Sequence, residues 1–294
     1  MVIFCGPGSE VVGAEIGRIV GVPVSFIRSK TFADGETRLN LTCDVGGEDV
    51  TLIHSTHPPQ DKHLVQLLLL LDAIGYEGAS SIRVMTPYLA YARQDRRQLP
   101  GEVVSIVSLI RLLEFLGVDE LVTVNVHNPE VFRGARFTLV DLSAVPLLAA
   151  HLKDLGCGGA LSLSLGKKHV DLVHAMEAAS VLGGGYGRLK TFRDPSTGEV
   201  RLEEAELDVA GMRVAVFDDV ITSGGTHLQV AEFLRDEGAS EVHLACVHSL
   251  LSNERRGKVI GAVDSFICSD TVPGPDSKVK VAPLLASVLS EVGP

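Results

Sequence analysis

The residues Val214-Ala215-Val216-Phe217-Asp218-Asp219-Val220-Ile221-Thr222-Ser223-Gly224-Gly225-Thr226 concentrate more chemistry than any other stretch of this 294-residue chain. An apolar run reads as a buried strand that delivers Asp218 and Asp219 side by side to its C-terminal edge, where open α/β sheets bind ligands. The hydroxyls of Thr222, Ser223 and Thr226 follow, with Gly224 and Gly225 letting the backbone approach closely. Their N–H groups and the start of the next helix together receive phosphate oxygens. The two acids then suit sugar hydroxyls. Read merely as a helix start with incidental acids, the segment would leave two carboxylates at the end of a buried strand without partners, which is costly. A sugar-phosphate site is the expectation.

Three further groups carry charge in suggestive places. Tyr91 to Gly101 forms a charged loop between a strand and a helix, and its Arg93, Arg96 and Arg97 offer guanidinium forks suited to phosphate oxygens. Taken alone, these arginines also fit a solvated loop. His127 follows the run Val122 to Val126, where a satisfied strand-end histidine is the plainer reading. Lys190-Thr191-Phe192-Arg193 opens a second irregular segment, Arg188 to Glu206, whose Asp194-Pro195-Ser196-Thr197-Gly198 is a turn cluster. Long charged loops beside a rigid sheet commonly carry function and movement.

The elements that position these residues repeat a rhythm of apolar strand and amphipathic helix, the pattern of parallel sheets covered by helices. Strands are expected near Met1–Gly6, Val50–His54, Ser81–Met85 and Glu120–Val126, with helices over Lys62–Ile74 and Val103–Leu116. The second half reads strand Ala160–Leu163, helix Val170–Leu182, strand Arg213–Phe217, helix Thr226–Glu237 with the stripe Leu228, Ala231 and Leu234, and strand Glu241–Val247. A duplicated α/β domain with its boundary near residue 142 follows. Composition agrees with a globular protein: 46% hydrophobic, 5% aromatic, 30 Gly, 13 Pro and no Trp. The longest apolar stretch, within Leu64 to Ile74, is far short of the roughly 20 residues that cross a bilayer. No signal-peptide pattern opens the chain, so a cytoplasmic location is expected. Cys5, Cys43, Cys157, Cys246 and Cys268 are odd in number and never spaced as C-x-x-C, which points to small buried hydrophobes rather than disulfides or zinc. A net charge of -11 disfavours nucleic acid as a partner.

The Asp218 to Thr226 segment resembles the phosphoribosyl-binding motif shared by type I phosphoribosyltransferases and ribose-phosphate pyrophosphokinases. Three blocks in the first half resemble the pyrophosphokinases specifically: Phe32-Ala33-Asp34-Gly35-Glu36 matches F-x-D-G-E, Ser55-Thr56-His57-Pro58-Pro59 matches S-x-x-P-P, and Pro87-Tyr88-Leu89-Ala90-Tyr91-Ala92-Arg93-Gln94-Asp95-Arg96 matches P-Y-x-x-Y-A-R-Q-D-R. What the resemblance implies is specific. The fold would be two tandem phosphoribosyltransferase-like domains, residues 1–141 and 142–275, with 276–294 packing back on the first. ATP would be held by Arg93, Gln94, Asp95 and Arg96, completed by Phe32, Asp34 and Glu36 of a neighbouring subunit, so a homo-oligomer of at least two chains is implied. Ribose 5-phosphate would sit on Asp218, Asp219, Thr222, Ser223, Gly224, Gly225 and Thr226. Mg2+ would be the cofactor with His127 as a metal-associated residue, and Lys190 with Arg193 would match the family's flexible catalytic loop.

One stretch departs from the pattern. The family has a P-D-x-G type loop after the first strand of the second domain, whose Asp helps place a metal. Here the chain reads Leu161-Ser162-Leu163-Ser164-Leu165-Gly166-Lys167-Lys168-His169, with no acid before Asp171 in the helical pattern. Asn125 stands where many members have Asp, and Glu130 where many have Gln. A non-catalytic paralogue shares these features with an enzyme, and a type I phosphoribosyltransferase shares only the sugar-phosphate motif.

Overall fold

The computed structural model describes residues 1–166, 169–193, 200–202 and 208–290. The chain divides into two units, one of Met1–Leu142 with the chain from Val281 onward, the other of Ser143–Lys280. In the first, β1 (Val2–Cys5), α1 (Glu10–Val20) and β2 (Val24–Phe26) are followed by a hairpin of β3 (Arg28–Thr31) and β4 (Thr37–Asn40). Then come β5 (Asp49–Ile53), α2 (Gln60–Tyr76), β6 (Ser81–Thr86), α3 (Ser105–Phe115), β7 (Glu120–Val124) and β8 (Thr138–Leu142). The main sheet has the order β2-β1-β5-β6-β7-β8 and is parallel throughout. Because helices cover such a sheet, its strands are apolar on both faces, as Phe4, Leu52, Val84 and Leu121 illustrate on one and Cys5, Ile53, Met85 and Val122 on the other.

The second unit holds α4 (Val145–Leu152), β9 (Leu161–Leu165), α5 (His169–Leu182), β10 (Tyr186–Leu189) and the antiparallel pair β11 (Thr191–Arg193) and β12 (Val200–Leu202). It continues with β13 (Arg213–Ile221), α6 (Gly225–Asp236), β14 (Glu241–Ser249), α7 (Asn253–Ala262), β15 (Ser265–Ser269) and β16 (Ser277–Val279). Its sheet, β10-β9-β13-β14-β15-β16, repeats the parallel arrangement of the first. In both sheets the first strand is followed outward by the second, and the chain then crosses to the first strand's other side. That reversal opens a crevice at the carboxyl ends of β1 and β5, and again of β9 and β13.

Several boundaries differ from expectation for visible reasons. β13 runs past Phe217 to Ile221, because Val220 and Ile221 pair with His248 and Ser249 of β14. β7 stops at Val124, since Asn125 adopts a left-handed φ of 42° and the Val126 N–H turns to Asp141 Oδ1 at 2.9 Å; His127 therefore lies in a loop rather than at a strand end. β16 belongs to the second sheet, so the segment that rejoins the first unit begins at Val281, and α8 (Ala282–Ser290) packs on α1. The cysteines are free thiols, buried except for Cys43, which is exposed. Among the described residues no helix is long and apolar enough to cross a membrane.

Candidate active site

At the crevice of the second unit, the strand pairing leaves Asp218 and Asp219 near the end of β13, with α6 starting four residues beyond Ile221. Asp218 is held on both oxygens: the Asp219 N–H donates to Oδ1 at 3.0 Å, and His227 Nε2 lies 2.8 Å from Oδ2. Asp219 Oδ1 accepts from the Val220 N–H at 2.8 Å. Burial pushes the Asp218 carboxyl up to about 6 against the pull of the His227 hydrogen bond, and the neighbouring Asp219 charge adds to the rise. His227 is a residue that the motif alone did not mark. It belongs to the buried face of α6 with Val230, Ala231 and Leu234, and Leu228 is partly buried against the same core.

The two glycines of the turn differ physically. Gly224 caps α6 with φ 73°, and a Cβ there would meet Val259 Cγ2 at 2.6 Å; Gly225 has only Ser223 Oγ nearby, at 3.7 Å. Gly224 is thus demanded by the backbone and Gly225 leaves open space over the first N–H groups of the helix, which lack intrahelical partners.

The same sheet edge carries two more groups. Lys190 is exposed and follows Leu189 at the end of β10, whose carbonyl accepts from the Gly166 N–H at 3.0 Å. Gly166 has φ 125°, and the position its Cβ would take lies 2.3 Å from Asp171 Oδ2. Asp171, from the first turn of α5, thereby folds its carboxylate back over the end of β9, where a side chain at 166 would stand. Sequence spacing alone left it inside a helix. Arg193 closes β11, where its backbone pairs with Val200, and Lys167 and Lys168 lie outside the described residues.

In the first unit the second and third N-terminal blocks meet, and the first lies at the tip of a hairpin. Thr56 Oγ1 donates to the Tyr88 carbonyl at 2.9 Å and accepts from the Ala90 N–H at 2.7 Å. The Tyr91 hydroxyl bonds Asp61 at the head of α2, and Lys62 Nζ reaches Thr31 Oγ1 at 3.4 Å, tying the helix to the hairpin. Within the arginine loop, Ser105 bonds Gln94 Oε1, while Asp95 Oδ2 accepts from Asn128 Nδ2 at 2.7 Å. This last bond joins the loop of Arg93, Asp95 and Arg96 to the loop of His127. Arg93, Gln94 and Arg96 are exposed. At the hairpin tip, Phe32 N–H donates to Glu36 O at 2.8 Å, Glu36 N–H to Asp34 Oδ1 at 3.1 Å, and Gly35 supplies φ 94°. Phe32, Asp34 and Glu36 all face solvent, with Lys30 Nζ 5.6 Å from the Phe32 ring centre.

Comparison with known proteins accounts for both halves. Residues 1–117 match the family model of the N-terminal domain of ribose phosphate pyrophosphokinase, and residues 172–281 match that of the phosphoribosyl transferase domain. The ribose-phosphate pyrophosphokinase of Methanothermobacter thermautotrophicus is 34% identical over 293 residues, covering 99% of this chain and 100% of the relative. The chain belongs to the ribose-phosphate pyrophosphokinase family.

Similarity to other members runs equally end to end. The ribose-phosphate pyrophosphokinase of Methanopyrus kandleri is 32% identical with 99% of each chain covered. Among solved structures, phosphoribosylpyrophosphate synthetase from Mycobacterium smegmatis superposes with a TM-score of 0.86 at 24% identity, covering 99% of this chain and 98% of that one, which shows the fold. As a ribose-phosphate pyrophosphokinase family member the chain is a transferase with two tandem, mostly parallel α/β domains.

Proposed function

We propose that the chain transfers the β,γ-diphosphoryl group of ATP to ribose 5-phosphate. The anomeric oxygen attacks the β-phosphorus, the bond from that phosphorus to the α,β-bridging oxygen breaks, and the hydroxyl proton is lost. The products are 5-phosphoribosyl 1-diphosphate and AMP. The observation that carries this reading is the convergence of Asp218–Thr226, Lys190 and Asp171 on the carboxyl edge of one sheet, at its crevice.

Each group has a role that its chemistry supports. Thr222, Ser223, Gly224, Gly225 and Thr226 receive the 5-phosphate at the start of α6, while Asp218 and Asp219 accept from the ribose hydroxyls. Lys190, with Arg193 beyond it, offsets negative charge developing on the transferred phosphoryl oxygens. Arg93, Gln94, Asp95 and Arg96 bind ATP, and the exposed hairpin tip of a second copy brings Phe32, Asp34 and Glu36 to it. A homo-oligomer is then required for activity.

Mg2+ held chiefly by phosphate oxygens and water needs only one or two protein groups. His127 is the group proposed for this role, and among the described residues no three of His, Cys, Asp or Glu converge on one metal position. When bound, the cation neutralises phosphate charge. Asp171 also bears on the alternative of a silent paralogue, because its carboxylate stands over Gly166, where the loop lacks its own acid. The test is titration of ribose 5-phosphate into the purified wild type and Gly225→Val: binding to the first and loss of binding in the second support the sugar site, and equal affinity removes it.

A further inference from the structure

The buried face of α6 contains a polar residue that the fold does not need. Val230, Ala231 and Leu234 pack on the sheet, yet the position one turn before them is His227, with its side chain 6% exposed and its Nε2 2.8 Å from Asp218 Oδ2. An ionised carboxylate only accepts hydrogen bonds, so Nε2 carries the proton in this contact. The placement follows from the turn: Ser223 and Gly224 reverse the chain so tightly that the first helical turn stands over the end of β13. With Oδ1 taken by the Asp219 N–H, His227 fixes the plane of the Asp218 carboxylate.

We propose that His227 is a positioning residue for sugar binding, whose Nε2–H holds Asp218 as an oriented carboxylate and so makes ribose 5-phosphate recognition by this chain pH-dependent through the Asp218–His227 pair. The proposal rests on the sugar site argued above. Among the described residues, Asp218 faces three titratable neighbours: Asp219 on its own strand, His227 on α6, and Cys246, its register partner on β14. The Cys246 thiol is pushed well above its usual value by burial and stays neutral. The Asp219 charge raises the Asp218 carboxyl, and the His227 side chain opposes that rise by favouring the ionised form. Removing the donor leaves desolvation and Asp219 unopposed, and Asp218 then takes up a proton at a higher pH.

A histidine that merely fills the core predicts something else. Its loss would weaken packing equally at every pH, with no special effect on the sugar. Two variants separate the readings. His227→Leu keeps an apolar filling and removes the donor; His227→Gln keeps an N–H that can reach Oδ2.

Ribose 5-phosphate affinity should be measured by calorimetry without nucleotide from pH 5.5 to 8.5, together with KM and kcat. The ligand's own phosphate titrates near pH 6 in every variant, so differences between curves isolate the protein. In His227→Leu the acid limb is expected to move up by about one pH unit, giving a roughly threefold affinity loss near pH 6.5 that widens to about eightfold at pH 5.5, fades by pH 8.5 and enters through KM for the sugar rather than kcat. His227→Gln should restore the wild-type midpoint. Superimposable curves, or a loss of the same size at every pH, would overturn the proposal. Should His227→Leu not fold, His227→Asn, too short to reach Oδ2, carries the same expectations. If Gly225→Val binds the sugar as tightly as wild type, the site itself is wrong; if only that variant loses binding while the His227 variants keep the wild-type curve, this inference alone fails.

Discussion

Replacing Gly224 and Gly225 one at a time separates what the turn needs for folding from what it needs for its ligand. Alanine at 224 must hold a left-handed backbone, which costs an L-residue about 1–2 kcal/mol. Its Cβ would also stand 2.6 Å from Val259 Cγ2 and 3.3 Å from Leu251 Cδ2, both in the packed region beside α7. Relieving that overlap costs about 1–3 kcal/mol. Gly224→Ala is therefore expected to lose about 2–5 kcal/mol, a large part of the stability of an ordinary domain. Gly225 has no crowded neighbour, its nearest being Ser223 Oγ at 3.7 Å. Gly225→Val should change stability by less than about 1 kcal/mol, yet its branched side chain would lie over the N–H groups proposed to receive the phosphate. Urea unfolding followed by far-ultraviolet circular dichroism reads the first effect, and calorimetric titration with ribose 5-phosphate reads the second. The expected pattern is a shifted unfolding midpoint only for Gly224→Ala and at least a tenfold affinity loss, about 1.4 kcal/mol, for the folded Gly225→Val protein. A Gly224→Ala midpoint equal to wild type would refute the strain argument.

Three other outcomes follow from the same geometry. Asp171→Asn keeps the side chain's size over Gly166 but removes its charge, so turnover should fall roughly 100-fold, while ribose 5-phosphate affinity stays within about twofold; a variant as active as wild type would exclude Asp171 from the reaction. Mixing a Phe32→Ala chain with an Arg93→Ala chain should recover activity that neither homo-oligomer has, through hybrid sites, whereas additive activities would rule out a shared site. Because the folded Asp218 carboxyl is raised to about 6 by burial, the folded chain holds more protons than the unfolded one between about pH 4 and 6, and this group costs stability as pH rises through that window. Asp218→Asn is then expected to raise ligand-free stability at pH 7.5 by about 1–3 kcal/mol, seen as a higher thermal midpoint, and to leave it unchanged near pH 4, as a pair of melting scans would show.

The sequence made the two sheets readable where strands are buried on both faces. Val214 to Phe217 and Glu241 to Val247 are near-continuous apolar runs, and their type is plain even though pairing carries β13 and β14 a few residues further. The hairpin β3–β4 was invisible as an element, because Arg28, Ser29, Lys30 and Thr31 are exposed on both faces and show no alternation. The strand-to-helix turn at Asp218–Thr226, proposed above as the sugar-phosphate site, was legible as a turn from the order of residues alone. Asp171 and His227 were not, since each acts across the turn rather than along it. Asp171 matters because a left-handed Gly166 leaves space for a carboxylate from the following helix, and His227 because the tight turn lays the first helical residues over the strand end. Asn128 and Thr56 belong to the same class, linking segments far apart in sequence, Asn128 through its bond to Asp95 and Thr56 through bonds to Tyr88 and Ala90.

The central claim, that this member of the family makes 5-phosphoribosyl 1-diphosphate, is tested most directly by following AMP release from the purified wild-type chain with Mg-ATP, with and without ribose 5-phosphate. The account predicts AMP formation that requires the sugar phosphate, with one 5-phosphoribosyl 1-diphosphate formed for each AMP. Binding of both substrates without sugar-dependent AMP would contradict it and identify the chain as a silent relative.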